Sequence, residues 1–208
     1  VRLGTAIGAD TAGMEAMFVG RVQSPPAALL DGILVNQSGE RFANEAVYVG
    51  TLGRAIAAQE EGKAWLIMSA KDVRKAIRQV ATDGFDAFMK FGAPALLNLF
   101  LGGTKRARSL DVLAQKCGLD PNRLEQTVRR YEKMVLDKHD PDFSKLKDHL
   151  KSLGSGPYVA MNVSLANRYS FITFHTLGGL ALEETTGAVR RADERPPPRG
   201  SRRPYLRQ

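Results

Sequence analysis

The chain has few residues that could cross-link a domain through a disulfide or a metal ion. Its 208 residues include a single cysteine, Cys117, and three widely separated histidines. One cysteine excludes an internal disulfide and, with so few histidines, provides no zinc-ligand set, so we expect no metal site. A lone thiol is typical of a reducing compartment, and we therefore predict a cytoplasmic protein.

Long apolar runs are also missing. No segment approaches the roughly 18 consecutive apolar residues of a membrane-spanning helix. Residues 1–20 have neither the basic start nor the continuous apolar core of a signal peptide. We therefore expect no membrane partner. Because the sequence begins with Val1 rather than Met, we also expect an incomplete N-terminus.

The composition is that of a folded, basic protein. Apolar residues make up 43% of the chain, enough for a hydrophobic core, and the formal net charge is +8. Residues 191–208 hold six arginines and two acidic residues without apolar periodicity, so they are predicted to be a disordered basic tail. The tail is either a solvated terminus, including one produced by a shifted reading frame after Arg190, or an arginine-rich nucleic-acid arm. We favour the first interpretation.

Apolar periodicity predicts an α+β protein with a small sheet and several helices. An amphipathic helix is predicted over residues 4–18 and a short strand at residues 33–35. Ser69 is predicted to cap a helix, with Asp72 as its capping-box partner. The remaining predicted helices are residues 51–61, 110–116 and 120–138, and the remaining strands are residues 64–68, 156–163 and two runs within 171–182.

The helices on either side of Gly118 have the outline of a DNA-reading helix-turn-helix over residues 109–138. The second helix, however, begins Asp120-Pro121-Asn122. An acidic residue at the end that would face the bases opposes the phosphate field, so we do not favour nucleic acid as a partner. A non-catalytic basic protein that binds DNA or a protein partner stays open as the alternative function.

A more specific pattern lies at residues 32–45, with the sequence G-I-L-V-N-Q-S-G-E-R-F-A-N-E. It resembles the G-x-x-V-N-x-x-G-x-R-F-x-N-E segment of the FAD-dependent fumarate reductase and 3-ketosteroid dehydrogenase superfamily. There the segment leads from the flavin-binding body into the substrate-capping domain. The helix pair resembles the L-A-x-x-x-G-(I/L)-D-x-x-x-L-x-x-T-V-x-x-Y pair of the same capping domain, through residues that include Leu113, Ala114, Gly118, Asp120, Leu124, Thr127, Val128 and Tyr131.

The resemblance implies the organisation of the chain. It places a capping domain at residues 29–166, a helical remnant of the flavin-binding body at 1–28, and strands that return towards the flavin at 167–190. It also implies FAD as the cofactor of the complete enzyme and a small-molecule substrate, a ketosteroid in preference to a dicarboxylate. The reaction expected is oxidation or reduction of a carbon–carbon bond beside a carbonyl group.

One part of the flavoprotein pattern is missing from the sequence. The G-x-G-x-x-G turn that binds the FAD pyrophosphate at a helix N-terminus does not occur in the 208 residues. We therefore expect the isolated chain to bind no FAD and to be inactive. Surfaces that the flavin-binding half would cover are expected to favour self-association.

The segment His175-Thr176-Leu177-Gly178-Gly179 resembles the H-T-x-G-G turn of the fumarate reductases. There the histidine binds the substrate carboxylate, and the paired glycines let the backbone lie against the flavin ring, where a Cβ would collide. The resemblance makes His175 a candidate catalytic residue and Thr176, Gly178 and Gly179 candidate cofactor contacts. A bulge between strands and a satisfied imidazole remain the alternatives.

Tyr48 follows Glu45 at about the spacing of a tyrosine that transfers a proton in the steroid-oxidising branch. In the fumarate branch an arginine donates the proton, and its position falls near Val49 here, with Arg54 as a weak substitute. Without that donor, reduction of fumarate cannot be completed. The resemblance therefore favours a steroid-type dehydrogenase with Tyr48 as a catalytic residue; a tyrosine at the edge of the core is the alternative.

The last candidate group is Arg41, Asn44 and Glu45. We predict that these side chains anchor the hinge between body and cap through charge-assisted hydrogen bonds, in preference to acting on the substrate.

Overall fold

The computed structural model of the chain describes residues 1–21, 26–82, 84–169 and 172–194. The predicted disordered tail lies, from residue 195 onwards, outside these ranges. The described chain divides into two compact units. Residues 19–174 form the larger unit, and residues 1–18 with 175–194 form the smaller one.

The described residues form several helices and short strands. The helices are α1 (Arg2–Ala6), α2 (Val49–Ala57), α3 (Ala70–Thr82), α4 (Phe85–Ala87), α5 (Ala93–Leu101), α6 (Leu110–Cys117) and α7 (Pro121–Asp137). The strands are β1 (Thr11–Ala12), β2 (Met17–Arg21), β3 (Ile33–Val35), β4 (Trp65–Ser69), β5 (Lys105–Ala107), β6 (Tyr158–Asn162), β7 (Ile172–Thr176) and β8 (Gly179–Leu180). A π-helical stretch, Phe88–Gly92, joins α4 to α5.

The helix predicted over residues 4–18 is wrong. Helix α1 ends at Ala6, and the chain then forms β1 and enters β2. Gly8 and Gly13 adopt φ angles of 90° and 64°, which interrupt a right-handed helix. Leu3 and Ile7 belong to the apolar spacing that indicated a helix, yet both are more than four-fifths exposed.

The small strands pair in two ribbons. Strand β1 pairs antiparallel with β8, with Thr11 opposite Leu180. Strand β2 pairs with β7, and the division between the two units falls within both of these strands. The two strand-like runs predicted within residues 171–182 correspond to β7 and β8.

The larger unit is built on a four-stranded antiparallel sheet in the order β3-β4-β6-β5. Leu34 lies opposite Leu66, and Leu66 lies opposite Met161 on its other side. All residues of β3 and β4 are buried, which explains why both strands read as unbroken apolar runs. The strands predicted at residues 33–35, 64–68 and 156–163 are confirmed to within two residues at each end.

Alternate side chains of the sheet enter two separate cores. Ile33, Val35 and Trp65 pack with α6 and α7, whereas Leu34 and Leu66 pack with α2, α3 and α5. Neighbouring residues of a strand point to opposite faces, so β3, β4 and β6 contribute to both cores. The larger unit is therefore a sheet between two layers of helices.

Three predicted helix caps of the larger unit are also confirmed, whereas the helix predicted over residues 51–61 already ends at Ala57. Asp120 caps α7 by accepting from the N–H groups of Asn122 and Arg123 at 2.8 and 3.2 Å. Gly118 ends α6 in the left-handed conformation. Ser69 Oγ accepts from the Asp72 N–H at 3.1 Å and donates to the Asp72 carboxylate at 2.5 Å.

Gly53 allows α2 to lie directly against β2. A Cβ at this position would lie 1.8 Å from the carbonyl oxygen of Val19, a backbone atom that cannot rotate away. Alanine favours a helix over glycine by about 1 kcal/mol, but overpacking costs about 1–3 kcal/mol or more. We therefore expect Gly53→Ala to lower the free energy of unfolding by about 2 kcal/mol, measured by urea titration with circular dichroism.

The control for this prediction is Thr51→Ala, at an exposed position of the same helix. It is expected to change stability by less than about 0.5 kcal/mol. Equal unfolding midpoints for the two variants would contradict the close packing of α2 on β2.

Candidate functional site

A tight turn after β3 positions Arg41. The Asn36 side-chain oxygen accepts from the N–H groups of Ser38 and Glu40 at 3.1 and 3.0 Å, and Gly39 has a φ of 81° that favours glycine. The chain then returns beside β3, where Arg41 forms an antiparallel bridge with Val35. This turn brings a cation next to the buried sheet.

Four charged side chains meet beside β3 in the interior of the larger unit. Arg41 binds Glu45 through two contacts, Nε to Oε1 and Nη2 to Oε2, both 2.9 Å, and its Nη1 lies 2.9 Å from Asp140 Oδ2. Lys145 Nζ lies 3.1 Å from Glu45 Oε2 and donates to the Gly32 carbonyl at 2.6 Å. Only Arg41 is accessible, at 5% of its side-chain surface. Two cations and two anions cancel, which makes their burial tolerable.

Aromatic rings and backbone groups complete this charge cluster. The Arg41 guanidinium lies 5.3 Å from the Tyr131 ring centre and 5.0 Å from that of Phe143. The Leu34 N–H donates to Glu45 Oε1 at 2.9 Å, so the cluster is bonded to β3 itself. Each carboxylate thus has both cationic and backbone partners.

The surroundings favour the charged forms of Arg41 and Asp140. Burial lowers the pKa of Arg41, but Glu45 and Asp140 outweigh burial and raise it above its ordinary value. Burial raises the pKa of Asp140, but the Phe143 N–H and Arg41 outweigh it, so this pKa is lowered overall. For Lys145 burial prevails and lowers the pKa, although Glu45 opposes the shift.

The cluster also fixes the loop that follows α7. Asp140 accepts from the N–H groups of Asp142, Phe143 and Lys145 at 3.0–3.1 Å. Asn44 donates to the carbonyls of Phe143 and Ser144 at 3.0 and 3.2 Å. Arg41, Asn44 and Glu45 are therefore brought together as an anchor within the larger unit, and their role at an interdomain hinge stays a prediction.

Sequence reasoning missed Asp140 and Lys145. Both lie in the segment His139-Asp140-Pro141-Asp142-Phe143-Ser144-Lys145, which has the composition of an ordinary exposed turn. Their partners lie far away in the sequence, and only the fold brings them to Arg41 and Glu45. The one signal in the sequence was Arg41 of the G-x-x-V-N-x-x-G-x-R-F-x-N-E segment. If this arginine was buried, it would need a further acidic partner besides Glu45.

Tyr48 lies on the surface of the larger unit at the start of α2. It is the N-cap residue, and its carbonyl accepts from the N–H groups of Thr51 and Leu52 at 2.9 and 3.1 Å. Its side chain is 71% exposed, so core packing does not account for a tyrosine here. Glu45, three residues earlier, is fully buried, and the charge cluster thus fixes the start of the segment that carries Tyr48. Arg54, in the last turn of α2, is exposed.

The H-T-x-G-G segment lies in the smaller unit. His175 and Thr176 end β7 and are exposed, and the His175 ring lies 6.0 Å from the ring of Phe18. A Cβ on Gly178 would lie 2.6 Å from the Met14 Cα, whereas a Cβ on Gly179 would have no atom within 4 Å. Packing therefore explains glycine at 178, while the open space at 179 fits the close approach of a planar ligand.

The candidate residues fall into separate groups. Arg41, Asn44 and Glu45 are brought together within the larger unit, which also carries Tyr48. His175 to Gly179 lie within the smaller unit.

Other site chemistry is limited in the ranges that the structure describes. Within them, no group of three or more His, Cys, Asp or Glu side chains is arranged to hold a metal ion. Burial raises the pKa of the Cys117 thiol to about 11, so this thiol is not a reactive thiolate. No helix in the same ranges has the length and apolar character to cross a membrane.

Residues 15–196 match the FAD binding domain family. The chain belongs to this family. It is 30% identical to the 3-oxo-5-alpha-steroid 4-dehydrogenase of Comamonas testosteroni over 189 residues, which cover 91% of this chain and 35% of that protein. It is also 30% identical to the fumarate reductase (cytochrome) of Shewanella frigidimarina over 151 residues, which cover 73% of this chain and 22% of that protein.

Among solved structures, the chain is similar to the 3-ketosteroid-Δ4-(5α)-dehydrogenase of Rhodococcus jostii in complex with 4-androstene-3,17-dione. The TM-score is 0.72 at 25% identity, over 94% of this chain and 36% of that one. The resemblance to the FAD-dependent flavoproteins and the α+β fold are thus confirmed, and FAD is the cofactor of the family. The chain spans about a third or less of the length of these relatives.

The charge cluster should be essential for stability of the larger unit. Arg41→Met would leave Glu45 and Asp140 buried with one cation, and we expect it to lower the free energy of unfolding by about 3–5 kcal/mol. The measurement is urea unfolding followed by circular dichroism. The control is Arg123→Met, which removes a half-exposed pair with Glu40 and is expected to cost less than about 1 kcal/mol. Similar losses for both variants would show that the cluster has no special role.

The two neighbouring glycines should respond differently to a methyl group. Gly178→Ala is expected to destabilise the smaller unit by about 2 kcal/mol through its clash with Met14, and Gly179→Ala to change stability by less than about 0.5 kcal/mol. Hydrogen exchange at the β1–β8 ribbon is the measurement, because it reports on this unit alone. Equal exchange rates in the two variants would refute the distinction.

Proposed function

We propose that the chain is the substrate-capping part of an FAD-dependent dehydrogenase that oxidises a carbon–carbon bond beside a ketone in a ketosteroid-like molecule. Membership of the FAD binding domain family supports the cofactor. The similarity to the steroid dehydrogenase extends over 91% of the chain, against 73% for the fumarate reductase at the same identity. That difference favours a steroid over a dicarboxylate.

The observation that carries the proposal is the position of Tyr48. Its side chain is exposed at the N-terminal end of α2, next to a segment fixed by the buried charge cluster. An exposed tyrosine on a rigid support is suited to exchange a proton with a bound substrate. Val49, an apolar residue, lies near the position at which the fumarate branch has its arginine donor, so a fumarate reductase is disfavoured.

Each candidate residue would have its own role in the reaction. Dehydrogenation removes a hydride from one carbon and a proton from its neighbour, and FAD, when bound, accepts the hydride. Tyr48 would help to move that proton away from the substrate carbon. Thr176 and Gly179 would contact the cofactor, and His175 would bind a polar group of the substrate.

The organisation of the chain is part of the same proposal. We assign residues 29–166 to the capping domain and residues 1–28 and 167–190 to the flavin-binding body, with the anchor of Arg41, Asn44 and Glu45 beside the hinge. The isolated chain would be inactive, since it has no G-x-G-x-x-G turn for the pyrophosphate. We place the protein in the cytoplasm because of its lone thiol.

A chimaera tests this proposal. Residues 19–174 would replace the corresponding segment of the Comamonas steroid dehydrogenase, and flavin absorption would report whether FAD is bound. We expect dehydrogenation of a 3-ketosteroid, and a loss of kcat of about 10²–10⁴ in Tyr48→Phe without loss of flavin. Tyr169→Phe, at a half-exposed tyrosine of the same unit, is the control and should keep full activity.

Two results would contradict the proposal. A flavin-loaded chimaera that reduces fumarate but leaves the steroid unchanged would reverse the substrate assignment. Unchanged turnover in Tyr48→Phe would remove the tyrosine from the mechanism. The isolated chain, mixed with excess FAD and desalted, should show no flavin absorption. Retained flavin would refute the expectation that the isolated chain binds no FAD, on which its expected inactivity rests.

A further inference from the structure

The stretch of chain between α3 and β5 in the larger unit carries five large, exposed apolar side chains. They are Phe85, Met89, Leu97, Phe100 and Leu101, and we call them the α4–α5 ridge. Each of these side chains is at least half exposed, with Phe85 at 80% and Phe100 at 63%. Soluble monomers rarely expose so many large apolar side chains within one short segment, so the ridge indicates a binding surface.

The ridge is the outer face of a helix that is otherwise well packed. Leu97, Phe100 and Leu101 follow the spacing of one helical face, while Asn98 and Leu99 are buried and Leu99 belongs to the core beneath α3. At Gly92 an added Cβ would lie 2.6 Å from a Val80 side-chain carbon, so the segment is held close to α3. The exposed face is therefore a fixed feature of the fold.

Exposed cationic side chains lie on the elements that come before and after the ridge in the chain. Residues 71–108 contain eight lysines and arginines against three aspartates. Arg74 and Arg78 are exposed on α3, and Arg106 and Arg108 are exposed on and after β5, an edge strand of the sheet. Among the ion pairs within the described residues, none involves these four arginines.

We propose that the α4–α5 ridge and its flanking arginines dock the protein on the surface of an anionic lipid bilayer. Phenylalanine and leucine side chains enter the boundary between headgroups and acyl chains, and arginines beside them attract anionic headgroups. This is a contact with one face of the membrane, whereas the expectation of no membrane partner was based on the absence of a spanning segment. The inference is independent of the proposed function.

Charge and polarity favour a bilayer over other occupants. A second copy packed ridge to ridge would bring two sets of arginines together, and like charges oppose such a contact. Nucleic acid has no counterpart for the apolar centre of the ridge. A specific protein partner would find few polar groups here, because the charged residues between Phe85 and Leu101 are Asp86 and Lys90, which pair with each other.

Co-sedimentation of the 208-residue chain with vesicles, without FAD or steroid, tests the docking surface. The vesicles are phosphatidylcholine alone or phosphatidylcholine and phosphatidylglycerol at about 7:3. We expect salt-sensitive binding to the anionic vesicles only. Phe100→Ser with Leu101→Ser should weaken binding about tenfold or more, and Arg74→Ala with Arg78→Ala should weaken it and reduce its salt dependence.

The matched control is Leu136→Ser with Leu146→Ser, two leucines of the same unit that are 82% and 65% exposed and lie outside the ridge. These changes should leave vesicle binding unaltered. Circular dichroism checks that each variant is folded. The proposal is overturned by absent binding to anionic vesicles, by equal binding to neutral ones, or by equal weakening in the control. Self-association that the ridge variant abolishes, without vesicle binding, would assign the surface to a second copy instead.

Discussion

The larger unit depends on one buried interaction, the bidentate contact of Arg41 with Glu45. Burying either charge alone would cost several kcal/mol, so each needs the other, and Asp140 and Lys145 balance the remaining charge. The same contacts join three pieces of chain that are distant in sequence: β3, the start of the segment leading to α2, and the loop after α7. The same charge cluster therefore stabilises the larger unit and positions the segment that carries Tyr48, the candidate catalytic residue.

The sequence predicted the parts of the fold that are governed by local chemistry. Strands β3, β4 and β6 of the central sheet are mainly apolar runs and were predicted, whereas β5, Lys105–Ala107, has no such pattern and was missed. The capping residues Ser69 and Asp120 act through hydrogen bonds to their close neighbours in the chain. The helix expected at residues 4–18 does not form, because the positive φ angles of Gly8 and Gly13 interrupt it despite the apolar spacing. Partners such as Asp140 and Lys145 could not be predicted, since no local pattern encodes a charge pair formed across the fold.

The candidate functional residues are accessible groups on well-packed backbone segments. Tyr48 combines an accessible side chain with a backbone fixed by the N-terminal end of α2 and by buried Glu45. The two glycines have different roles. Gly178 allows two segments of the smaller unit to pack, and Gly179 leaves the space beside its Cα open. A family motif therefore contains both packing and ligand-contact requirements, and only the surroundings of each residue separate them.

The balanced charges of the cluster also restrict how this protein can vary. Replacing any one of the four side chains by an apolar residue leaves an unpaired charge in the interior, whereas replacing oppositely charged partners together can preserve the balance. A single change at position 41, 45, 140 or 145 is therefore expected to destabilise the larger unit more than a paired change that keeps the charges balanced. The cluster thus constrains the sequence at four positions together, although they lie far apart along the chain.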